Sequence, residues 1–289
     1  VDRMMLVEII LGKQTGNKAL AAALDYVRVI RKTPIVVNDS RGFYTSRVVG
    51  TYIREGHLML TEGVPAAMIE NVGRMAGMPV GPLALNDEVA VDLAWKILKA
   101  TEADLGAKAV DARQKTLLRE MVEKRGRFGR KNGKGFYDYP ANGPKKLWPD
   151  LVDFQLKKLD PDKIDIEELK LRLLGIQALE TSRCFEEKVL TDVREADVGS
   201  ILGFGFAPFS GGTLSWMTTW GGNSYARTSG GIVAYQKRAG VAIVLADPLG
   251  PTATRGESVT EFISMAERAG LIPCFFSASD ATKDAVPSS

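Results

Sequence analysis

Leu6-Val7-Glu8-Ile9-Ile10, a turn from Gly12 to Gly16, and Pro34-Ile35-Val36-Val37 decide how this chain reads. The two apolar, β-branched runs have the length and bounding turns of short buried strands. Between them Leu20, Leu24, Val27 and Ile30 share one face of a helix, with Asn17 at its N-cap position. Asn38-Asp39-Ser40-Arg41-Gly42 closes the second run as a turn. Two strands cannot stand alone, so the unit reads as the last pieces of an α/β sheet whose beginning lies elsewhere. Glu8 interrupts an otherwise apolar strand, and a carboxylate there must be paired or protonated.

Outward from this unit the period changes. From residue 42 to about 124 the pattern is helical. Phe43, Val48, Tyr52 and Ile53 begin one helix; Pro65 starts a second with Met68, Ile69, Val72 and Met75. After a tight Gly77-Met78-Pro79-Val80-Gly81-Pro82 turn, a third helix carries Leu85, Val89, Leu93 and Ile97, and a fourth Leu117, Leu118, Met121 and Val122. Residues 125–139 are basic and Gly-rich, hence a loop, and the prolines of residues 140–165 mark a linker. The segment from Glu62-Gly63-Val64 to Pro82 has a counterpart from Glu187-Lys188-Val189 to Phe209, preceded by a helix bearing Ile166, Leu169, Leu173 and Ile176. The expected fold is therefore mainly α, with a duplicated helical domain behind the remnant of a Rossmann-type α/β domain. Its divisions are 1–39 for the remnant, 40–139 for the first helical domain, 140–165 for the linker, 166–215 for the second copy and 216–289 for a tail.

Composition narrows the function. Of 289 residues, 45% are hydrophobic and 25% charged, an ordinary globular balance, and the formal charge is only +3 with basic residues interleaved among acids. Nucleic acid is not an expected partner. No apolar run is long enough to span a membrane. Cys184 and Cys274 lack metal-ligand spacing, so no metal site is expected and a reduced cytoplasm is the expected location.

Several segments resemble the 3-hydroxyacyl-CoA dehydrogenases, especially the long multifunctional members of fatty-acid β-oxidation. Leu6-Val7-Glu8-Ile9 is similar to the strand after the family's histidine motif; Thr33 to Val37, Asp39-Ser40 and Gly42-Phe43 are similar to the crossing into the helical domain. The 77–82 turn and Gly129-Arg130-Lys131-Asn132-Gly133-Lys134-Gly135-Phe136-Tyr137 resemble its two signature loops. The resemblance covers residues 1–215. It implies NAD as cofactor, a 3-hydroxyacyl-CoA substrate, a homodimer and, in multifunctional members, a thiolase partner. It also implies that a histidine removes the 3-hydroxyl proton and that Glu8 orients that histidine, which would lie a few residues before Val1.

The resemblance places two further residues. Ser46 stands where relatives carry an asparagine that bonds the substrate; the alternative is a serine bonding its own helix N-terminus. Lys131 stands where a lysine contacts the cofactor, against a solvated cation among Lys124, Arg125, Arg127 and Arg130. His57, the one histidine, reads as a surface or partly packed helix residue and not as the base. Gly77, Gly81, Gly133 and Gly135 read as backbone devices. No Gly-x-Gly-x-x-Gly occurs, so the nucleotide loop is expected to be missing and the polypeptide inactive alone. The competing reading is a non-catalytic assembly module. The tail, Gly-, Ala-, Ser- and Thr-rich, reads either as a shifted reading frame or as a divergent module, with Val241 to Leu245 as a β-branched run and Ser258 to Arg268 as one helix.

Overall fold

The computed structural model describes residues 4–218, 223–238, 240–245, 247–276 and 278–286. Strand β1 (Leu6–Leu11) and strand β2 (Thr33–Asn38) pair in parallel, Leu6 opposite Thr33 through Leu11 opposite Asn38, joined by helix α1 (Asn17–Val29). This is one βαβ unit. Gly16 is the N-cap of α1 and Asn17 already lies inside the helix, so the expected cap is displaced by one residue. Only Val27 of α1 is buried, while Tyr26, Val29 and Ile30 face solvent. A helix packed on two strands has too little sheet to cover its apolar stripe. The opposite face of the pair is covered: Leu6, Ile35 and Val37 pack with Tyr44, Val48, Cys184 and Leu190.

The first helical unit comprises α2 (Thr45–Glu62), α3 (Ala66–Met75), α4 (Pro82–Val89), α5 (Val91–Leu105) and α6 (Ala112–Arg119), the last running into a π turn at Glu120–Lys124. A short hairpin, β3 (Tyr137–Asp138) with β4 (Lys146–Leu147), closes it. The third helix read from the sequence is in fact two. Ala90 adopts φ 95° and breaks it, and α5 restarts on a new face. Val91, Trp95 and Leu98 are buried, whereas Val89, Leu93 and Ile97, the face the spacing favoured, are exposed. Residues 140–165 are also more than a spacer. Trp148 and Leu151 are buried in the unit's core, and Leu156 N–H donates to Thr61 O at 2.9 Å.

The second unit holds α7 (Ile166–Glu186), α8 (Val193–Phe204) and α9 (Thr213–Thr218). Asp165 caps α7 by accepting from Glu167 N and Glu168 N. The two units share a plan. Gly63 (φ 103°) ends α2 as Lys188 (φ 58°) ends α7, and Gly77 (φ 94°) follows α3 as Gly205 (φ 72°) follows α8. Each unit then starts a helix on a carboxylate from the preceding one. Glu70 of α3 accepts from Leu83 N (2.8 Å) and Ala84 N (3.2 Å) of α4. Asp197 of α8 accepts from Leu214 N (2.8 Å) and Ser215 N (3.3 Å) of α9.

The tail builds a separate sheet. Strands β5 (Asn223–Thr228), β6 (Gly231–Arg238) and β7 (Val241–Leu245) run antiparallel. Helix α10 (Arg255–Arg268) then crosses to β8 (Ile272–Phe276), parallel to β7, and α11 (Asp280–Ala285) follows. Val233, Ala242, Val244 and Phe262 form its own core, with the Tyr235 and Phe262 rings 5.0 Å apart.

Candidate functional site

Glu8 sits two residues after buried Leu6, so strand alternation turns both toward the helical units. There it meets the first turn of α2. One carboxylate oxygen, Oε1, accepts from Tyr44 N and Thr45 N, each at 3.0 Å, and Oε2 accepts from the Thr45 hydroxyl. A helix N-terminus presents unpaired N–H groups and the positive end of its dipole, so a negative charge is favoured here by about 0.3–1 kcal/mol or more when partly buried. The strand glutamate is thus paired and not a solvent-facing edge residue.

The helix end that holds Glu8 is itself held by the second unit. Tyr44 is fully buried and its hydroxyl donates to Ala196 O of α8 at 2.8 Å. Burial pushes that phenol well above the usual tyrosine range, so it stays a neutral donor. One turn on, Arg47 grips α7, with Nε on Glu180 at 2.6 Å and its two terminal nitrogens on Glu187 at 2.6 and 2.8 Å. Ser46 lies between these anchors. Its side chain is exposed and makes no hydrogen bond among the described residues, so the backbone-capping alternative finds no support in the geometry.

Lys131 has a different setting. It lies in a 3₁₀ turn, Arg130–Asn132, where its ammonium pairs with Asp92 in the first turn of α5. Burial would raise the Asp92 carboxyl, but Lys131 and Lys96 outweigh it and hold it below the usual range. The structure therefore brings Glu8 and Ser46 to one corner, while the bonds of Lys131 run to α5.

Both signature loops are anchored by acids that the sequence reading did not single out. Glu70, 2% exposed, also accepts from the Tyr137 hydroxyl at 2.8 Å. Asp87, 1% exposed, accepts from Phe136 N (2.8 Å), Tyr137 N (2.9 Å) and the Tyr139 hydroxyl (3.1 Å). Burial pushes the Asp87 carboxyl up to about 6 against those donors. Gly81 and Gly135 leave room for these carboxylates: a Cβ at either would overlap Glu70 or Asp87. Gly77 and Gly133 hold positive φ. The only available hint was an acid on an otherwise apolar helix face, which Glu70 and Asp87 both show.

His57 corrects an expectation. It is wholly buried, not a surface or partly packed residue, and its ring stacks on Phe136 at 5.2 Å. Gln114 Nε2 lies 3.2 Å from Nδ1 and Asn86 Oδ1 2.9 Å from Nε2, an arrangement that fits the neutral Nε2–H form. Burial pushes its pKa down to about 4. Without access to solvent or to Glu8 it has no route to a substrate proton.

A dinucleotide needs a Gly-rich βα turn whose amides face its pyrophosphate. In the one βα turn of the βαβ unit, Gly12 N bonds the Thr15 hydroxyl at 3.0 Å, while Ala19 N and Leu20 N bond Gly16 O. Those groups serve the turn itself, so the described residues do not by themselves fit a dinucleotide. Among the described residues no cluster of His, Cys, Asp or Glu could hold a metal, and no helix is long and apolar enough to cross a membrane.

Residues 42–139 match the 3-hydroxyacyl-CoA dehydrogenase C-terminal domain and residues 1–40 the NAD-binding domain of the same family. Residues 206–287 match a different description, phosphatidylglycerol lysyltransferase, C-terminal. The fatty acid oxidation complex subunit alpha of Vibrio cholerae is 37% identical over 222 residues, 76% of this chain and 30% of that protein. The protein of the same name from Shewanella frigidimarina is 38% identical over 234 residues, 79% of this chain and 32% of its own length. The chain thus spans about a third of these relatives. Two solved structures share the fold. Escherichia coli 3-hydroxybutyryl-CoA dehydrogenase has a TM-score of 0.57 at 18% identity, covering 74% of this chain and 60% of that one. The dehydrogenase part of multifunctional enzyme 1 from C. elegans has 0.53 at 21%, covering 98% and 56%.

Proposed function

From the premise that this chain belongs to the 3-hydroxyacyl-CoA dehydrogenase family, we propose that it is part of an enzyme oxidising (3S)-3-hydroxyacyl-CoA to 3-oxoacyl-CoA in fatty-acid β-oxidation, with NAD as the cofactor of the complete enzyme. The observation that carries the reading is Glu8, a carboxylate in a half-buried strand, fixed by the N-terminus of α2 and aimed at the helical units. Its role is to orient a histidine base and stabilise that base once protonated. Ser46, exposed beside it, offers its hydroxyl to the substrate oxygen. Lys131, half exposed and paired with Asp92, is the residue proposed for the cofactor.

The 289 residues contain one histidine, and it is sealed in the core. The polypeptide of these residues is therefore expected to lack dehydrogenase activity, since loss of a general base alone removes about 10² to 10⁴ in rate. An NADH-linked assay with acetoacetyl-CoA tests this directly: turnover near that of an intact relative refutes it.

A second reading is an assembly module. Tyr44 and Arg47, which frame the corner, spend their polar groups on packing against the second unit, as a scaffold would require. A homodimer or a thiolase partner in the cytoplasm is the proposed context. Light scattering beside acyl-CoA titration separates the readings, since a dimer that binds no acyl-CoA favours assembly. For the tail we propose a genuine folded module and not a shifted frame. The alternation along β5, where Ala226 and Thr228 are buried and Tyr225 and Arg227 exposed, the shared core of Val233, Val244 and Phe262, and the match over residues 206–287 support it.

A further inference from the structure

We propose that Thr45 is a positioning residue for Glu8, and that Gly203 of the second helical unit sets the orientation of Thr45. This rests on the reading of Glu8 given above. The two backbone bonds from Tyr44 and Thr45 both end on Oε1 and use its acceptor positions. They leave the carboxyl group free to swing about that oxygen, because the last torsion of a glutamate is broad. The Thr45 hydroxyl bonds Oε2 and removes the swing. One acceptor position on Oε2 is then left for an imidazole N–H, in a direction fixed by Thr45.

A threonine hydroxyl points where its β-branched side chain is packed. The methyl group of Thr45 lies against α8 at Gly203, where an added Cβ would come within 2.8 Å of Thr45 Cγ2 and 2.7 Å of Leu6 Cδ2. With the methyl seated at this glycine, the hydroxyl is turned toward Glu8. Leu6 borders the same notch on the strand that carries Glu8. The Gly203-Phe204-Gly205 segment, which lacks the pattern of a phosphate loop, thereby gains a role: it is the surface that orients the carboxylate's partner. The similar clamps on Glu70 and Asp197 show the device used within the helical units alone. The clamp on Glu8 is the one that reaches into the sheet.

The test compares Thr45→Val, Thr45→Ser, Gly203→Ala and Glu8→Gln in the intact dehydrogenase polypeptide that contains these residues. Thr45→Val keeps the shape and removes the hydroxyl. Its kcat is expected to fall about tenfold with KM unchanged, the effect of a misaimed group rather than of lost binding. Thr45→Ser restores most of the rate, and Gly203→Ala reproduces the loss with every donor intact. If Glu8→Gln lowers kcat while Thr45→Val and Gly203→Ala do not, Thr45 has no positioning role and the reading of Glu8 stands. If Glu8→Gln leaves kcat unchanged, the reading of Glu8 itself fails. A readout independent of turnover is the carboxyl ¹³C chemical shift of Glu8 in the 289-residue chain at neutral pH, which reports the bond from the Thr45 hydroxyl to Oε2. It is expected to move in Thr45→Val and to stay at the parent's value in Thr45→Ser. Equal shifts in the two variants overturn the proposal.

Discussion

Ala90 holds φ 95° and ψ 123°, a region open to glycine and costly for any residue with a Cβ. Replacing it by glycine should stabilise the chain. Such backbone conformations cost an L residue about 1–3 kcal/mol. Glycine gives back about 0.5–1 kcal/mol through the greater freedom of the unfolded chain. The balance is a gain of about 0.5–2 kcal/mol. The surroundings maintain the strained conformation from both sides: Ala90 N bonds Asn86 O at 2.8 Å, Val91 N bonds Phe128 O at 3.0 Å, and Val91, Trp95 and Leu98 are buried by the turn that follows. Thermal unfolding followed by tryptophan fluorescence reads it, since Trp95 and Trp148 lie in this core. A rise of about 2–6 °C is expected for Ala90→Gly. Ala100→Gly, at an exposed position inside α5, is the control and should cost about 1 kcal/mol. If Ala90→Gly lowers the midpoint as Ala100→Gly does, Ala90 does not occupy that backbone region and the break between α4 and α5 has another cause.

Two buried groups oppose each other in the pH dependence of stability. Burial pushes Asp87 up to about 6, so its contribution is present at low pH and lost as pH rises through 6; burial pushes His57 down to about 4, so its contribution grows as pH rises from 4 toward 6.5. Each amounts to about 3 kcal/mol at 1.36 kcal/mol per pH unit, and urea unfolding of the parent should be nearly flat from pH 4 to 6. Asp87→Asn should make stability climb over that interval and His57→Gln should make it decline; unchanged profiles in both would show that neither carries the shift. Gly135→Ala should cost about 3 kcal/mol, the upper end for an overpacked core, because the new methyl overlaps the Asp87 carboxylate; a near-wild-type midpoint would contradict the close approach. Lys188→Gly, at an exposed left-handed position ending α7, should add about 1 kcal/mol, and a loss of stability would argue for a contact made by the lysine side chain.

Local pattern was enough for much of the architecture. The apolar, β-branched runs at 6–10 and 34–37, the turn between them and the amphipathic stretches around Tyr52, Val72 and Leu173 each carry their signal within a few residues. The repeat was visible because its turns need special backbone, and Gly63, Gly77 and Gly205 all prove to hold positive φ. Glu8 stood out because a charge in an apolar strand demands a partner. What the partner is depended on residues 36 and 37 positions away, at Tyr44 and Thr45. Sequence separation also hid Glu70 and Asp87, whose donors lie 13 to 67 residues off and whose one local mark is an acid on an apolar helix face. His57 was misplaced because one polar side chain on α2 looks solvent-facing until Asn86, Gln114 and Phe136 close around it. The break at Ala90 leaves no local mark, since alanine is the best helix former. Chain neighbours dictate where a backbone can turn and which face is apolar. Only the tertiary structure decides which charge is sealed in and what it holds, because hydrogen-bond partners for a buried group come from whichever segments packing brings near.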